Sequence, residues 1–272
     1  MNAHASTARA EPAKPLHVGE HLREWRQRRH LSQLDLAGDA AISARHLSFV
    51  ETGRSAPSRD MVLKLAERLD VPLRERNVLL VAAGFAPAFP QRPLDDPALK
   101  SAREAINMIL RAHEPNPALA YDRHWNLVSA NRMLAPLLEG VARRLLGEPV
   151  NVLRLAFDPE GLAPRTVNLP EWAAHLLERL HRQCEATADP GLLKLYQELK
   201  SYPIPARSGP ISVDNVAIPF KLRHKGDVLS FISTTMVFGT PVDITLQELA
   251  LETFFPADEL TARRLKDMQP QD

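Results

Sequence analysis

The first eighty residues place apolar side chains at helical spacing, and capping residues divide them into short segments. Val18, Leu22 and Trp25 stand at positions i, i+4 and i+7, which predicts an amphipathic helix that ends near Arg29. Serines at N-cap positions and glycines at stop positions divide the chain that follows. The predicted helices cover 18–29, a short stretch from 33, 45–52, 59–69 and 73–83. The pattern predicts an all-α domain of five short helices.

The second and third of these helices are joined by a tight turn, which is helix-turn-helix spacing. Ser32 precedes the second helix and Asp35 stands at its third position, as in a capping box. Ser43 precedes the third helix, which starts near Ala44, and Gly53 ends it. In such a pair one helix braces across the phosphates while the next lies in the major groove. We therefore expect this domain to bind a double-stranded DNA operator.

From residue 97 onward the pattern mixes helices with strands. The predicted helices cover 100–113, 169–187 and 190–200, and strand-like runs cover 118–122, 125–130, 215–223, 228–238 and 249–255. A strand, a turn and a second strand, with Asn131 then capping a helix towards Gly140, are typical of the opening of a PAS-like sensor fold. The predicted fold class is thus multidomain, with an all-α domain followed by an α+β domain.

Proline and charge mark the boundary between the two domains. Nineteen of the 23 prolines follow residue 83, and because proline blocks helix propagation, the cluster at 84–96 predicts a stiff linker. Residues 1–82 hold 13 Lys/Arg against 10 Asp/Glu, and the remainder holds 21 against 23. The predicted segments are a disordered tail at 1–15, a helix-turn-helix domain at 16–83, a linker at 84–96 and a ligand-binding domain at 97–268.

Composition excludes several classes of protein. The 272 residues are 44% hydrophobic and 25% charged, which is typical of a globular chain. The net charge of +1 excludes a uniformly basic coat, so any surface for nucleic acid must be local. Cys184 is the single cysteine, which excludes a disulfide framework and fits a reducing compartment. No stretch approaches 18 apolar residues, so we expect a cytoplasmic protein without a membrane partner.

Three segments resemble the Cro/lambda-repressor (XRE) helix-turn-helix family. They are LSQLDLA at 31–37, ISARHLSFVETGR at 42–54 and PSRDMVLKLA at 57–66, and the resemblance covers 18–83. It implies that Gln33 heads the bracing helix and reaches phosphate and base, while the next helix reads bases. The candidate DNA contacts are Ser32, Gln33, Ser43, Ala44, Arg45, His46, Ser48, Phe49, Arg54 and Arg59.

Side-chain chemistry supports some of these roles independently. Arg45 can donate two hydrogen bonds to guanine O6 and N7, which is worth about 1–3 kcal/mol of discrimination. Leu47 and Val50 already supply the core of the third helix, so Phe49 is a candidate for contact with a thymine methyl group. The alternatives are that Phe49 belongs to the core and that His46 is an ordinary surface residue.

Further segments are similar to the MmyB-type ligand-binding domain, which follows this kind of helix-turn-helix directly. They lie at 151–165, 171–175, 233–245 and 252–258, and the resemblance covers 97–268. It implies a PAS-like pocket for a non-covalent, fatty-acid-like or other apolar small molecule, in a homodimeric regulator. No other cofactor is expected.

Candidate ligand contacts follow from the PAS-like interpretation, in which the inner faces of the strands line the pocket. Ligand sites are mostly apolar with a few placed polar groups. The candidates are Tyr121, Trp125, Phe220, Phe231, Thr234 and Phe238, with Trp172 and Tyr202 as lids. Arg154 is a candidate for a ligand carboxylate, with a structural ion pair as its alternative. For the others, ordinary core packing is the alternative.

Two rival classes of function remain open. The residues His17 to His21 match the H-x-x-E-H zinc-peptidase pattern. They lie at the start of the first predicted helix, beside Gly19, and the sequence indicates no separate acidic ligand. The sequence shows no nucleophile–base set and no phosphate-binding glycine loop, so we expect no enzyme. The other rival is a regulator whose C-terminal domain only dimerises or docks a protein partner, without a ligand.

Overall fold

The computed structural model describes residues 17–205 and 217–269. The predicted disordered tail, residues 1–15, lies outside these described residues, as does the start of the predicted strand at 215–223. Within the described ranges, no helix is long and apolar enough to cross a membrane.

The chain forms two compact units that divide between Phe89 and Pro90, within the proline-rich stretch 84–96. Asn77 fixes the end of the first unit, because its side chain accepts the N–H of Phe89 at 3.1 Å and donates to the Phe89 carbonyl at 2.7 Å. At the start of the second unit, the Pro90 carbonyl accepts the N–H of Ile244 at 2.9 Å. Phe89, at the end of the first unit, and Pro90, at the start of the second, are therefore each hydrogen-bonded within their own unit.

Residues 17–89 form the five helices that the sequence predicts. They are α1 (Val18–Arg28), α2 (Gln33–Asp39), α3 (Ala44–Glu51), α4 (Arg59–Arg68) and α5 (Leu73–Ala82). The first four begin at side-chain caps from His17, Ser32, Ser43 and Ser58. Their apolar stripes meet in one core, whose fully buried leucines include Leu22, Leu36, Leu47, Leu65 and Leu80. His17, from the formal zinc pattern, accepts the Gly19 N–H at 3.1 Å as the cap of α1.

The second unit holds one antiparallel sheet and helices, which confirms the predicted α+β class. Its described elements are α6 (Lys100–Ala112), β1 (Ala118–Tyr121), β2 (Leu127–Ala130), α7 (Leu134–Leu137), α8 (Val152–Phe157), α9 (Leu169–Thr187), α10 (Pro190–Lys200), β3 (Phe220–His224), β4 (Asp227–Val237), α11 (Ile244–Gln247), β5 (Ala250–Pro256) and α12 (Glu259–Asp267). The five strands described form a curled sheet of order β2-β1-β5-β4-β3.

The two faces of this sheet have different neighbours because side chains alternate along each strand. One face packs on α8, α9 and α10 in the main core, and its aromatic members are Tyr121, Phe220, Phe231 and Phe254. The opposite face packs on α6 through a smaller cluster formed by Ile106, Leu110, Ala118, Ala120, Leu249 and Leu251. The larger core of this unit therefore lies on the α8–α10 side of the sheet.

The expectation that Asn131 caps a helix is wrong. Its side chain is buried, and the Oδ1 atom accepts the Ala118 N–H at 3.1 Å. Its amide donates to the carbonyls of Leu110 and Asn116 at 3.1 and 2.8 Å. The residue thus joins β1 to the end of α6, and α7, which begins three residues later, is a single turn. A capping residue and a buried bridging amide look alike in sequence because both are short and polar.

Candidate DNA interface and ligand cavity

The N-terminal end of α3 presents an arginine stacked on an aromatic ring. Ser43 caps the helix by accepting the His46 N–H at 3.1 Å. Arg45 is exposed, and its Cζ lies 5.4 Å from the centroid of the Phe49 ring one turn later. Phe49 is half-buried and lies outside the core cluster of the described residues, so its ring supports the guanidinium instead of filling the core. The stacking therefore places the Arg45 guanidinium against the Phe49 ring on the surface of α3.

A buried ion pair fixes α3 to α1. Arg26 of α1 donates from Nε and Nη2 to the two carboxylate oxygens of Glu51, at 2.7 and 3.0 Å. The Glu51 side chain is only 1% exposed. Gln33, the first residue of α2, donates its amide to Glu51 Oε2 at 2.7 Å. One carboxylate therefore sets the relative position of α1, α2 and α3, and it orients Gln33, for which the resemblance implies a contact with DNA.

Backbone contact between α1 and α3 adds to this junction. A Cβ atom built on Gly19 would lie 2.1 Å from the carbonyl oxygen of Val50 and 2.8 Å from that of Glu51. No side chain fits in that space. The α1 backbone therefore lies directly against the C-terminal end of α3, and the absence of a side chain at Gly19 permits it.

All ten candidate DNA contacts are exposed or half-buried in this unit. Ser32, Ser43, Arg45, Arg54 and Arg59 are exposed, and Gln33, Ala44, His46, Ser48 and Phe49 are half-buried. Ser32 and Ser43 use their Oγ lone pairs as helix caps. Each hydroxyl keeps its own proton, so it can still donate a hydrogen bond to a phosphate oxygen.

An apolar cavity of about 90 Å³ lies in the second unit, on the inner face of the sheet. Five of the nine predicted ligand contacts line it, and they are Tyr121, Trp125, Trp172, Phe220 and Phe231. Sequence reasoning missed other lining residues, which include Leu119, Leu137, Leu153, Leu176, Glu252 and Phe254. The volume is smaller than that of an engineered apolar cavity of about 150 Å³, which holds benzene.

Two of the predicted polar contacts, Arg154 and Tyr202, bond to other side chains of the protein and do not line the cavity. Arg154 donates from Nε and Nη2 to both carboxylate oxygens of Glu198, at 2.6 and 2.8 Å, which is the structural ion pair that the sequence left open. Tyr202 donates its hydroxyl to Asp158 at 3.2 Å and does not line the cavity. The polar contacts of a ligand must therefore come from other residues.

Strand alternation removes the other two predicted contacts from the cavity. Phe231 of β4 points into the cavity, so Thr234, three residues on, lies on the opposite face of the sheet. There it forms a hydrogen bond of 2.7 Å with Thr253 of β5. Phe238 packs against the cluster on the α6 side. Residue type made Thr234 and Phe238 candidates. Their positions along the strand, an odd number of residues after Phe231, place them on the opposite face of the sheet.

Polar groups gather at one end of the cavity, around Arg179 of α9. Its Nη1 donates to Glu252 Oε2 at 2.8 Å, and its Nη2 donates to Thr235 Oγ1 at 2.8 Å and to the Tyr121 hydroxyl. The guanidinium lies 4.7 Å from the centroid of the Trp125 ring. Burial and the neighbouring carboxylate raise the pKa of Tyr121 far above its ordinary value, so this phenol stays protonated.

Trp125 is held firmly at this end of the cavity. Its ring stacks on Tyr121 with centroids 4.6 Å apart, and its Nε1 donates to Gln183 at 2.8 Å. Its backbone is in the left-handed region at φ 65°, which is unusual for a bulky residue. Because the conformation is costly, the stacking and the hydrogen bond must maintain it.

A usable sequence signal existed for the residues that were missed. Arg26 continues the α1 stripe of Leu22 and Trp25, and Glu51 continues the α3 stripe in the same way. A charge on an apolar stripe is buried, and a buried charge needs a partner. Arg179 lies one helical turn after Leu176 on the α9 stripe, so the same argument applies to it.

Comparisons with known proteins give the family. The model of the MmyB-like transcription regulator ligand binding domain matches residues 102–268, and a helix-turn-helix model matches residues 22–76. No curated protein matches the chain significantly. The crystal structure of the clp gene regulator ClgR from Corynebacterium glutamicum is similar over 36% of this chain and 90% of that chain, with 22% identity and a TM-score of 0.22. Since the larger family match spans more than half of the chain, the protein belongs to the MmyB-like family of DNA-binding transcription regulators.

Proposed function

We propose that this regulator binds its operator as a homodimer and that a small apolar molecule, bound in the cavity of the second unit, changes its operator affinity. The observation that carries the proposal is the apolar cavity in the second unit of a chain that also presents an exposed recognition helix. A protein that only dimerised or docked a partner would have no need of such a cavity.

The DNA contacts divide by chemistry into base readers and phosphate contacts. Arg45 lies in the first turn of α3, where a recognition helix meets base edges. Arg54 and Arg59 follow α3 and are exposed, which suits contact with the phosphate backbone. Gln33 is oriented by Glu51 at the start of α2. Serine hydroxyls at Ser32 and Ser43 complete the polar edge.

Replacing Arg45 by alanine should reduce operator affinity by about 2 kcal/mol and relax the base preference at one position. Replacing Arg54 by alanine should weaken binding to all duplexes alike and reduce the salt slope by about one unit. The operator is first selected from genomic fragments, and filter binding at several salt concentrations then compares it with a scrambled duplex. Equal, sequence-independent losses in both variants would remove Arg45 from base readout.

Homodimerisation follows from how such domains read DNA, because two half-sites lie about 34–36 Å apart, one turn of the duplex. The second unit also leaves apolar side chains exposed on neighbouring strands. Ile232, Met236 and Phe255 share one face of the sheet and are 39–43% exposed. Covering such a surface favours association between copies.

Ligand binding should change operator affinity by about 5- to 150-fold, the usual range for coupling between two sites. Native mass spectrometry of protein purified from cells is expected to show a bound small molecule. Operator titrations before and after its extraction then measure the coupling. If the interior holds nothing and operator affinity ignores cell extracts, the second unit serves dimerisation or docking alone.

A further inference from the structure

The helix α6 turns one face to the sheet and leaves the opposite face uncovered. Ile106 and Leu110 are its buried side chains. On the outer face, Met108 is 70% exposed, which makes it one of the most exposed large apolar side chains of the second unit. A single apolar side chain in water is common on protein surfaces. The residues around Met108 therefore decide what this face can do.

Met108 lies at the edge of a shallow groove in the outer face of α6. The groove is lined by Glu104, Asn107, Met108, Arg111 and Ala112. The first four of these stand at positions i, i+3, i+4 and i+7, and are therefore neighbours on the helix surface. Four residues in this arrangement form the hole that receives a side chain of a facing helix in knobs-into-holes packing. The outer face thus has a shape that suits a second helix.

The charges beside the groove complement a second copy of the same helix. Glu104 and Arg111 are exposed and stand seven residues, or two helical turns, apart. In a two-fold symmetric contact, residue i faces residue j of the other copy, and residue j faces residue i. If two α6 helices pack antiparallel with the axis beside Met108, each glutamate faces an arginine. A parallel pair would instead bring like charges together.

We propose that α6 is a dimerisation helix and that it packs antiparallel on α6 of a second copy of this chain. Met108 lies beside the two-fold axis, and Glu104 pairs with the partner's Arg111 on both sides of it. This inference rests on the proposed function, in which the regulator is a homodimer. It adds the surface, the orientation and the charge pairs that join the two copies.

The contact that Glu104 makes within its own helix does not oppose this pairing. Its carboxylate lies 3.7 Å from the Lys100 ammonium, and the two side chains are 63% and 69% exposed. An ion pair this exposed contributes little to stability. Glu104 can therefore turn to the partner's Arg111 at small cost.

The exposed face of the sheet next to α6 enlarges the surface that a second copy can cover. A helix of 13 residues is only about 20 Å long, and a stable interface usually buries about 800 Å² on each partner. At the end of α6, the His113 ring meets the Phe255 ring edge-to-face, with centroids 4.8 Å apart. Phe255 pairs with Ile232 on the neighbouring strand. The helix and the exposed apolar side chains of the sheet are therefore contiguous.

Sedimentation equilibrium on the full chain measures the dimer dissociation constant and tests the pairing by charge exchange. Glu104→Arg brings arginines together across the axis, and Arg111→Glu brings glutamates together. Because symmetry places each substitution in the interface twice, we expect either single variant to raise the dissociation constant by about tenfold or more. The double variant again places opposite charges face to face, so its dissociation constant should return to within about threefold of the wild-type value.

Glu178 of α9 provides a matched control. Like Glu104, it is exposed and lies close to a basic residue one helical turn away, at 3.8 Å from Arg182. Glu178→Arg should leave the dissociation constant unchanged. Met108→Glu places two carboxylates beside the axis and should raise the constant at least as much as either single exchange. All the substituted side chains are exposed, and circular dichroism checks that each variant is folded.

Two results would overturn the inference while leaving a homodimeric regulator intact. One is a dissociation constant that the single exchanges change no more than Glu178→Arg does. The other is a double variant that dissociates as readily as the single variants, because Glu104 would then not face the partner's Arg111. A wild-type chain that stays monomeric at every concentration would instead overturn the proposed homodimer together with this inference.

Discussion

Replacing Glu51 by alanine is expected to lower the free energy of unfolding of the helix-turn-helix unit by about 3–5 kcal/mol. The substitution leaves the buried guanidinium of Arg26 without its partner and removes the acceptor that orients Gln33. Hydrogen bonding to Glu51 raises the pKa of Arg26. The variant loses that effect, but the guanidinium still stays charged because arginine is not deprotonated in proteins. Urea denaturation followed by circular dichroism measures the change, and operator binding should be lost in parallel.

Two further variants separate the buried charge from charge in general. Glu24 lies exposed on α1, so Glu24→Gln should change the stability by no more than about 0.5 kcal/mol. The double variant Arg26→Met with Glu51→Leu replaces both charges by apolar side chains, so it should recover most of the lost stability. A stable Glu51→Ala single variant would show that the pair is dispensable.

The variant Gly19→Ala is expected to destabilise the same unit by about 3 kcal/mol, because overpacking a close contact strains the backbone. The new methyl group would fall 2.1 Å from the Val50 carbonyl oxygen, and that oxygen belongs to the α3 backbone and cannot rotate away. The α1 helix must therefore separate from α3. Thermal unfolding measured by circular dichroism should show a lower midpoint. A separate titration with operator DNA should show weaker binding.

Gly38 provides the matched control. It lies within α2, and a Cβ atom there meets nothing within 4 Å. Gly38→Ala should therefore increase stability by about 0.5–1 kcal/mol, because glycine is a poor helix former. Destabilisation by both alanines to the same extent would contradict the argument from close backbone approach.

The sequence predicted the first unit well because local signals decide it. Four of the five helices start at a side-chain cap that is close in sequence, as Ser32 and Ser43 show, and their apolar stripes are regular. The sequence predicted only a short stretch from residue 33 without an end, and the helix continues through Gly38 to Asp39. A single glycine costs a helix less than tertiary packing returns.

The second unit was harder because long-range pairing decides it. Asn131 bonds to residues 13 to 21 positions away, so no local pattern distinguishes it from a cap. The helix α12 was not predicted, since its only buried side chains are Thr261 and Leu265. Two positions form too weak a stripe to mark a helix.

The ligand cavity shows the same contrast between what local sequence predicts and what long-range packing decides. Aromatic residues on predicted strands pointed to the right walls, such as Phe220 and Phe231. The polar end was missed because Arg179 and Glu252 are 73 positions apart, and they meet only when α9 packs on the sheet. Spatial pairing of this kind has no short-range signature.

The three tryptophans give the protein built-in optical reporters. Trp125 and Trp172 form part of the cavity wall, whereas Trp25 lies in the first unit beneath Arg28 and Arg29. Occupancy of the cavity should shift the emission of the first two. In a Trp25→Phe background, fluorescence titration would follow occupancy of the cavity without a label.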